Sequence, residues 1–266
     1  MNTSDTPGRT AVTPAVHRAA VATETARFVA VLDGADLSVP VPGCPGWTLV
    51  DLVGHTGNVQ RMFSGLLRRR VQEPPRSREV DWQLPTDGTD DRGWADWLAA
   101  SAAEAADAFA GTDPDAAMWA WGVDQHARFW MRRMLFETLV HRTDAERALG
   151  LRAVVDPVLA ADGVDEFLVN LPFAASFAPK VAHLRGNGET LRFRCTDTAG
   201  DWLVRLGPDG FGLAPQAEAG SADAGVEAPA ADLLLLLYGR LDRDADTVDT
   251  TGDEELLARW FANSAF

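Results

Sequence analysis

The sequence predicts two domains of different class: an all-α four-helix bundle over residues 14–150 and a small α+β domain over residues 151–266. Before residue 150, four long segments repeat apolar side chains at helical spacing, the pattern of a bundle. After residue 150 the pattern shifts to short alternating runs, broken by Ala199-Gly200 and Pro208-Asp209-Gly210, which are hairpin signals. A chain of 266 residues with 46% hydrophobic residues is long enough and apolar enough for two cores.

Residues 1–13 are polar, carry Pro and Thr, and read as a disordered N-terminus without a secretory signal. The first helix spans residues 14–33, where Val16, Ala20, Phe28, Val31 and Leu32 share helical spacing and Gly34 stops the run. A Pro-rich turn, Val39 to Gly46, precedes a sharp helix start. Thr48 and Asp51 form a capping-box pattern, and Trp47 and Leu52 sit where a hydrophobic staple would pair them. The second helix runs from Leu49 to Arg70, and a Pro- and Asp-rich connection covers residues 72–92. The third helix covers Trp94 to Ala110. The fourth begins between Asp124 and Arg128 and runs to Leu149, ended by Gly150. In the second domain a helix over Pro157 to Leu171 is followed by strands at Thr190–Thr196, Asp201–Leu206 and Gly210–Leu213. One weak strand is expected within residues 214–231. Helices at Ala230–Leu241 and Asp253–Asn263 complete the domain.

The charge balance excludes several function classes. The chain has 39 acidic and 24 basic residues, a net charge of −15, which repels nucleic acid and anionic membranes. The dense basic run Arg68-Arg69-Arg70 reads as a solvated helix end. The longest apolar run, around Leu233 to Leu237, is too short to cross a bilayer. Arginine outnumbers lysine 23 to 1, a bias that suggests a GC-rich bacterial genome. Cys44 and Cys195 are too few for a disulfide scaffold and fit a reduced, cytoplasmic setting. Phosphate-loop, Gly-x-Gly-x-x-Gly, Cys-x-x-Cys and Gly-x-Ser-x-Gly motifs are absent.

The chemistry is concentrated in the histidines. Glu137 and His141 are four apart on the fourth helix, so both leave the same face one turn apart. That helix is apolar nearly all round, with Phe129, Trp130, Met134, Leu135, Leu139 and Val140. A carboxylate and an imidazole beside a buried stripe need a partner. A metal ion would satisfy both; a buried salt bridge to Arg133 would also do so. His55, two turns into the second helix near Leu52, Val59 and Met62, completes a His, Glu, His set. Three such ligands with an open fourth position are how catalytic zinc is held. Other divalent ions accept the same donors. His126 stands eleven residues before Glu137, too far along one helix to share an ion. His17 reads as surface, His183 belongs to the second domain, Cys44 reads as a small apolar turn residue and Cys195 as core.

Two blocks carry a resemblance. Pro42-Gly43-Cys44-Pro45-Gly46-Trp47-Thr48-Leu49-Val50-Asp51-Leu52-Val53-Gly54-His55 and Glu137-Thr138-Leu139-Val140-His141-Arg142-Thr143-Asp144-Ala145-Glu146 resemble the actinobacterial mycothiol-dependent maleylpyruvate isomerase family. The resemblance covers nearly the whole chain. It implies a DinB-like metal-binding bundle followed by a sterol-carrier-protein-like domain, with zinc on His55, Glu137 and His141. It implies mycothiol as cofactor, its sulfur bound to the metal as a thiolate. It further implies an active-site arginine from the second domain, best matched by Arg240 in Leu236-Leu237-Tyr238-Gly239-Arg240, with Arg205 and Arg243 as rivals. A guanidinium suits a carboxylate substrate.

The expected function is therefore a metal-dependent thiol enzyme acting on an electrophilic small molecule, by isomerisation or by S-transfer. The alternative is a non-catalytic module in which metal stabilises the bundle and the second domain binds a small apolar ligand or partner. The expected partners are a small-molecule substrate and a low-molecular-weight thiol, with neither nucleic acid nor membrane. The expected assembly is a monomer or weak homodimer.

Overall fold

The structure is a computed structural model that describes residues 12–75, 84–85, 88–215 and 221–265. The expectation of disorder over residues 1–13 falls outside the described residues except for Val12 and Thr13, and Thr13 belongs to the first helix as its N-cap. The chain divides into two compact units, with the change at Val154 and Val155.

The first unit holds four helices: α1 (Pro14–Val31), α2 (Leu49–Arg69), α3 (Asp91–Ala110) and α4 (Ala127–Ala148). Local chemistry sets their ends. Pro14 opens α1 behind Thr13, whose hydroxyl accepts from the Val16 N–H. At the start of α2 the Asp51 carboxylate accepts from the Thr48 N–H at 2.8 Å and from its hydroxyl at 2.6 Å. α3 begins at Asp91 rather than Trp94, because Asp90 caps it by accepting from the Gly93 N–H. α1 packs chiefly on α4, and α2 on α3. Gly57 allows the second approach, since a Cβ there would collide with the Trp97 ring.

Buried polar groups tie the bundle. Gln60 on α2 donates to the hydroxyls of Thr25 on α1 and Thr138 on α4. Arg142, 0% exposed, donates to Glu24 Oε2 at 2.7 Å, Glu146 Oε2 at 2.6 Å and the Val154 carbonyl at 3.1 Å. His17 is buried, not on the surface as its flanking Arg18 suggests, because it lies three and four residues before Ala20 and Val21 on the same inward stripe of α1.

The second unit begins with α5 (Pro157–Asn170), capped by Asp156, and two short 3-10 turns at Leu171–Ser176 and Pro179–His183. Then follow β1 (Thr190–Cys195), β2 (Asp201–Gly207), β3 (Gly210–Leu213), β4 (Ala224–Ala228), α6 (Ala230–Leu237), β5 (Asp249–Gly252) and α7 (Glu254–Ser264). The sheet order is β3-β2-β1-β4-β5. β4 runs parallel to β1 and every other pairing is antiparallel. Leu191, Phe193, Trp202, Val204 and Val226 alternate inward, where Phe193 meets the Trp260 ring at 5.3 Å and the Trp202 indole N–H donates to Asp165 on α5 at 3.0 Å. The weak strand expected in residues 214–231 is β4. The edge strand β5 was not expected: Asp-Thr-Thr-Gly is polar throughout and exposed, so it shows no alternation. α6 stops four residues before the expected Leu241. Gly239 adopts φ +70°, and the Gly239 and Arg240 N–H groups fold back onto the carbonyls of Leu236 and Leu235. Among the described residues, no helix is long and apolar enough to cross a membrane.

Candidate metal centre

α2 and α4 carry the cluster. Glu137 and His141 project one turn apart from α4, and His55 reaches them from α2. His141 Nε2 lies 3.5 Å from Glu137 Oε2, and His55 Nε2 lies 3.8 Å from the same oxygen. One donor atom from each of the three residues lies within 4.8 Å of the others. The His55 and His141 rings meet edge to face at 4.9 Å. The site is half-open: the His55 side chain is 28% exposed, that of Glu137 23% and that of His141 10%.

Both partners that the residue pattern allows for Glu137 are present at once. The buried Arg133 donates to Glu137 Oε1 at 3.0 Å, which leaves Oε2 facing the two imidazoles. Burial opposes ionisation of Glu137, but Arg133 and hydrogen bonds from His141 and His55 outweigh it and hold the carboxyl well below its usual range. Burial likewise opposes the His141 imidazolium. Hydrogen bonds to Asp144, Cys44 and Glu137 overcome this and raise it well above the usual histidine value. Arg133 thus keeps Glu137 ionised, and the ionised Glu137 in turn favours a positive charge beside its Oε2.

A zinc ion is a fit to this donor set. Metal–ligand distances near 2.0–2.2 Å put tetrahedral donors about 3.4 Å apart, close to the 3.5 and 3.8 Å separations at Glu137 Oε2. Two imidazoles and one carboxylate leave a fourth direction for another ligand, and they suit other divalent ions as well.

Residue-by-residue reading missed three neighbours. Asp144, 1% exposed, lies with Oδ2 3.0 Å from His141 Nδ1; its place three residues after His141 on a helix was the available signal. Cys44 is a half-buried turn residue, as expected, but its Sγ sits 3.5 Å from the same Asp144 oxygen. The Trp47 ring stacks obliquely on His55 at 4.9 Å and lies 6.2 Å from His141. The other histidines stand apart: His126 Nδ1 bonds Asp124 at 2.6 Å and His183 is exposed in the second unit. Cys195 is buried within β1.

Arg240 follows the end of α6, half-buried, with Nη1 donating to the Tyr238 carbonyl at 2.7 Å. Of its rivals, Arg243 pairs with Glu254 at 2.7 Å, and Arg205 is exposed on β2.

A half-open His, Glu, His cluster in a four-helix bundle, in a chain that continues into an α+β domain, defines a two-domain bundle protein with a candidate metal centre. The chain belongs to the mycothiol maleylpyruvate isomerase family: the family's N-terminal domain matches residues 18–146 and its C-terminal domain matches residues 158–259. The family is named for an enzyme, and this chain is placed among enzymes with it. A crystal structure of the mycothiol-dependent maleylpyruvate isomerase superposes with a TM-score of 0.61 at 14% identity, covering 90% of this chain and 93% of the other. A histidine-to-alanine mutant of that isomerase superposes with a TM-score of 0.62 at 14% identity and the same coverage. At this identity the likeness speaks for the two-domain fold. A ubiquinone synthesis protein, UbiJ-SCP2, aligns over 42% of this chain and 93% of its own at 18% identity, with a TM-score of 0.29 that carries no argument about the second domain. No curated protein matches the sequence.

Proposed function

We propose that the protein is a metal-dependent thiol enzyme: His55, Glu137 and His141 hold one divalent ion, zinc for preference, and mycothiol is the cofactor. The substrate is a small electrophile bearing a carboxylate. The observation that carries this reading is the convergence of three donor atoms from two helices, within 4.8 Å of one another, in a chain of this family. Zinc bound there would make the mycothiol thiol available as a thiolate at neutral pH, the nucleophile that both isomerisation of a conjugated double bond and S-transfer require.

The chain's own groups prepare the site. Glu137 offers Oε2 because Arg133 occupies Oε1. The ionised Glu137 carboxylate, with Oε2 3.5 Å from His141 Nε2 and 3.8 Å from His55 Nε2, supplies the negative charge that a divalent cation needs there. Trp47 covers one side of His55 and limits water there. Arg240 is assigned to the substrate carboxylate through its guanidinium fork. Cys44 and Cys195 form no disulfide, which fits a reducing compartment and a cytoplasmic location.

Elemental analysis of the purified full-length protein tests the metal. Wild type should hold about one zinc per chain, and His55→Ala, Glu137→Gln and His141→Ala should each lower this at least tenfold while far-UV circular dichroism stays unchanged. Turnover of a cis-unsaturated diacid, or capture of an electrophile as a thioether, should require mycothiol. Arg240→Gln should raise KM for carboxylate substrates without loss of metal. Stoichiometric zinc with no thiol-dependent turnover would favour the non-catalytic module, and no zinc in wild type would remove the metal reading altogether.

A further inference from the structure

The Pro-rich turn before α2 and the Asp144 side chain have no part in the ligand set, yet they meet behind it. The turn is held tightly: the Val41 N–H donates to the Trp47 carbonyl at 2.9 Å, Cys44 to Val41 at 3.0 Å and Trp47 to Cys44 at 3.0 Å, with Gly46 at φ +87°. This loop presents Trp47 to His55 on one side and Cys44 to Asp144 on the other. Asp144 Oδ2 then lies between two donors, Cys44 Sγ at 3.5 Å and His141 Nδ1 at 3.0 Å.

We propose that Asp144 is a positioning residue that holds the His141 proton on Nδ1 and so aims the Nε2 lone pair at the point shared by Glu137 and His55, an inference that rests on the metal reading above. A neutral imidazole carries one proton, and each His141 nitrogen faces a carboxylate that accepts but cannot donate. Asp144 Oδ2 is the nearer, 3.0 Å from Nδ1 against 3.5 Å between Nε2 and Glu137 Oε2, so on the neutral ring the proton sits on Nδ1 and Nε2 is the nitrogen left to a cation. A carboxylate behind a metal-binding imidazole both orients the ring and strengthens its donor nitrogen. Cys44 reaches Asp144 and the His141 ring together, and as a donor of the weak S–H type it contributes the smaller share.

Cys44, His141 and Asp144 also have ligand atoms within 4.8 Å of one another. Using them as a separate ion site would require Nδ1 to lose its proton to the metal and both donors to abandon the Asp144 oxygen. The hydrogen-bond length at Nδ1 favours the supporting role instead.

Zinc affinity, measured by competition with a chromophoric chelator on full-length wild type, Asp144→Asn, Asp144→Ala and Cys44→Ala, is the first test. Both Asp144 variants should bind zinc about 10–100-fold more weakly, because the asparagine can turn its amide N–H towards Nδ1 and drive the ring proton onto Nε2. Cys44→Ala should stay within about threefold. Long-range 15N–1H spectra of the zinc-loaded wild type should show His141 bound through Nε2 with a proton on Nδ1. Unchanged affinity in a folded Asp144→Asn, or metal on Nδ1, overturns the proposal. If Asp144→Ala does not fold, the asparagine variant and the wild-type spectrum still decide. If wild type binds no zinc, the metal reading fails, and the spectrum of the protein at a pH where the ring is neutral decides the Asp144 role by itself: a proton on Nδ1 supports it and a proton on Nε2 overturns it.

Discussion

Arg142 gives the sharpest test of how the bundle is held. Its guanidinium is fully enclosed and serves two carboxylates, those of Glu24 on α1 and Glu146 on α4, as well as the Val154 carbonyl. Replacing it by Met keeps much of the volume but leaves two buried carboxylates with less compensation. Removing one partner of a buried ion pair costs about 3–5 kcal/mol. Arg27 partly relieves this, since it lies 3.2 Å from Glu24 Oε1 and 3.7 Å from Glu146 Oε1, but its side chain is 37% exposed and its contribution is screened. The expected cost is therefore near the lower end, about 3 kcal/mol, or about 10 °C in Tm for a domain of this size. Urea unfolding followed by circular dichroism, with the first unit's transition fitted separately, measures it. The triple variant Arg142→Met, Glu24→Leu, Glu146→Leu should recover most of the loss, because apolar packing replaces the ions. A loss below about 1 kcal/mol in the single variant, or no recovery in the triple, would refute the reasoning.

Two further outcomes follow from the packing and the caps. Gly57→Ala should destabilise the first unit by about 1–3 kcal/mol through collision with Trp97, and a paired Trp97→Leu should restore part of it; an unchanged Tm would mean that α2 and α3 do not approach as described. Asp51→Ala should cost about 0.3–1 kcal/mol at neutral pH. The Thr48 hydroxyl and N–H hold the Asp51 carboxyl below its usual range, so its folded pKa is depressed. Its stabilisation is present above the unfolded value near 3.9 and is lost as pH falls through the lower folded value. The gap in denaturation midpoint between wild type and variant should narrow as pH falls below about 3.9, and a gap that does not narrow would count against the cap.

Signals confined to a few neighbouring residues were legible in the chain. The Thr48–Asp51 pair and the glycines at residues 34 and 150, with φ of +70° and +69°, mark helix ends through their own stereochemistry. Alternation and turn residues likewise marked β1, β2 and β3, because a hairpin joins strands adjacent in sequence. Helical spacing placed Glu137 and His141 on one face. What spacing cannot encode is the neighbour that a face will meet. The arrival of His55 beside Glu137, the approach of Cys44 to Asp144 and the enclosure of Arg142 by Glu24 all depend on contacts between distant segments. The same holds for the sheet: β4 lies parallel beside β1, and the polar β5 becomes a strand only because β4 offers it a free edge. Backbone preferences act over a few residues and are read from them. Partner choice is made by burial and hydrogen bonding across the whole fold, so it belongs to the tertiary structure alone.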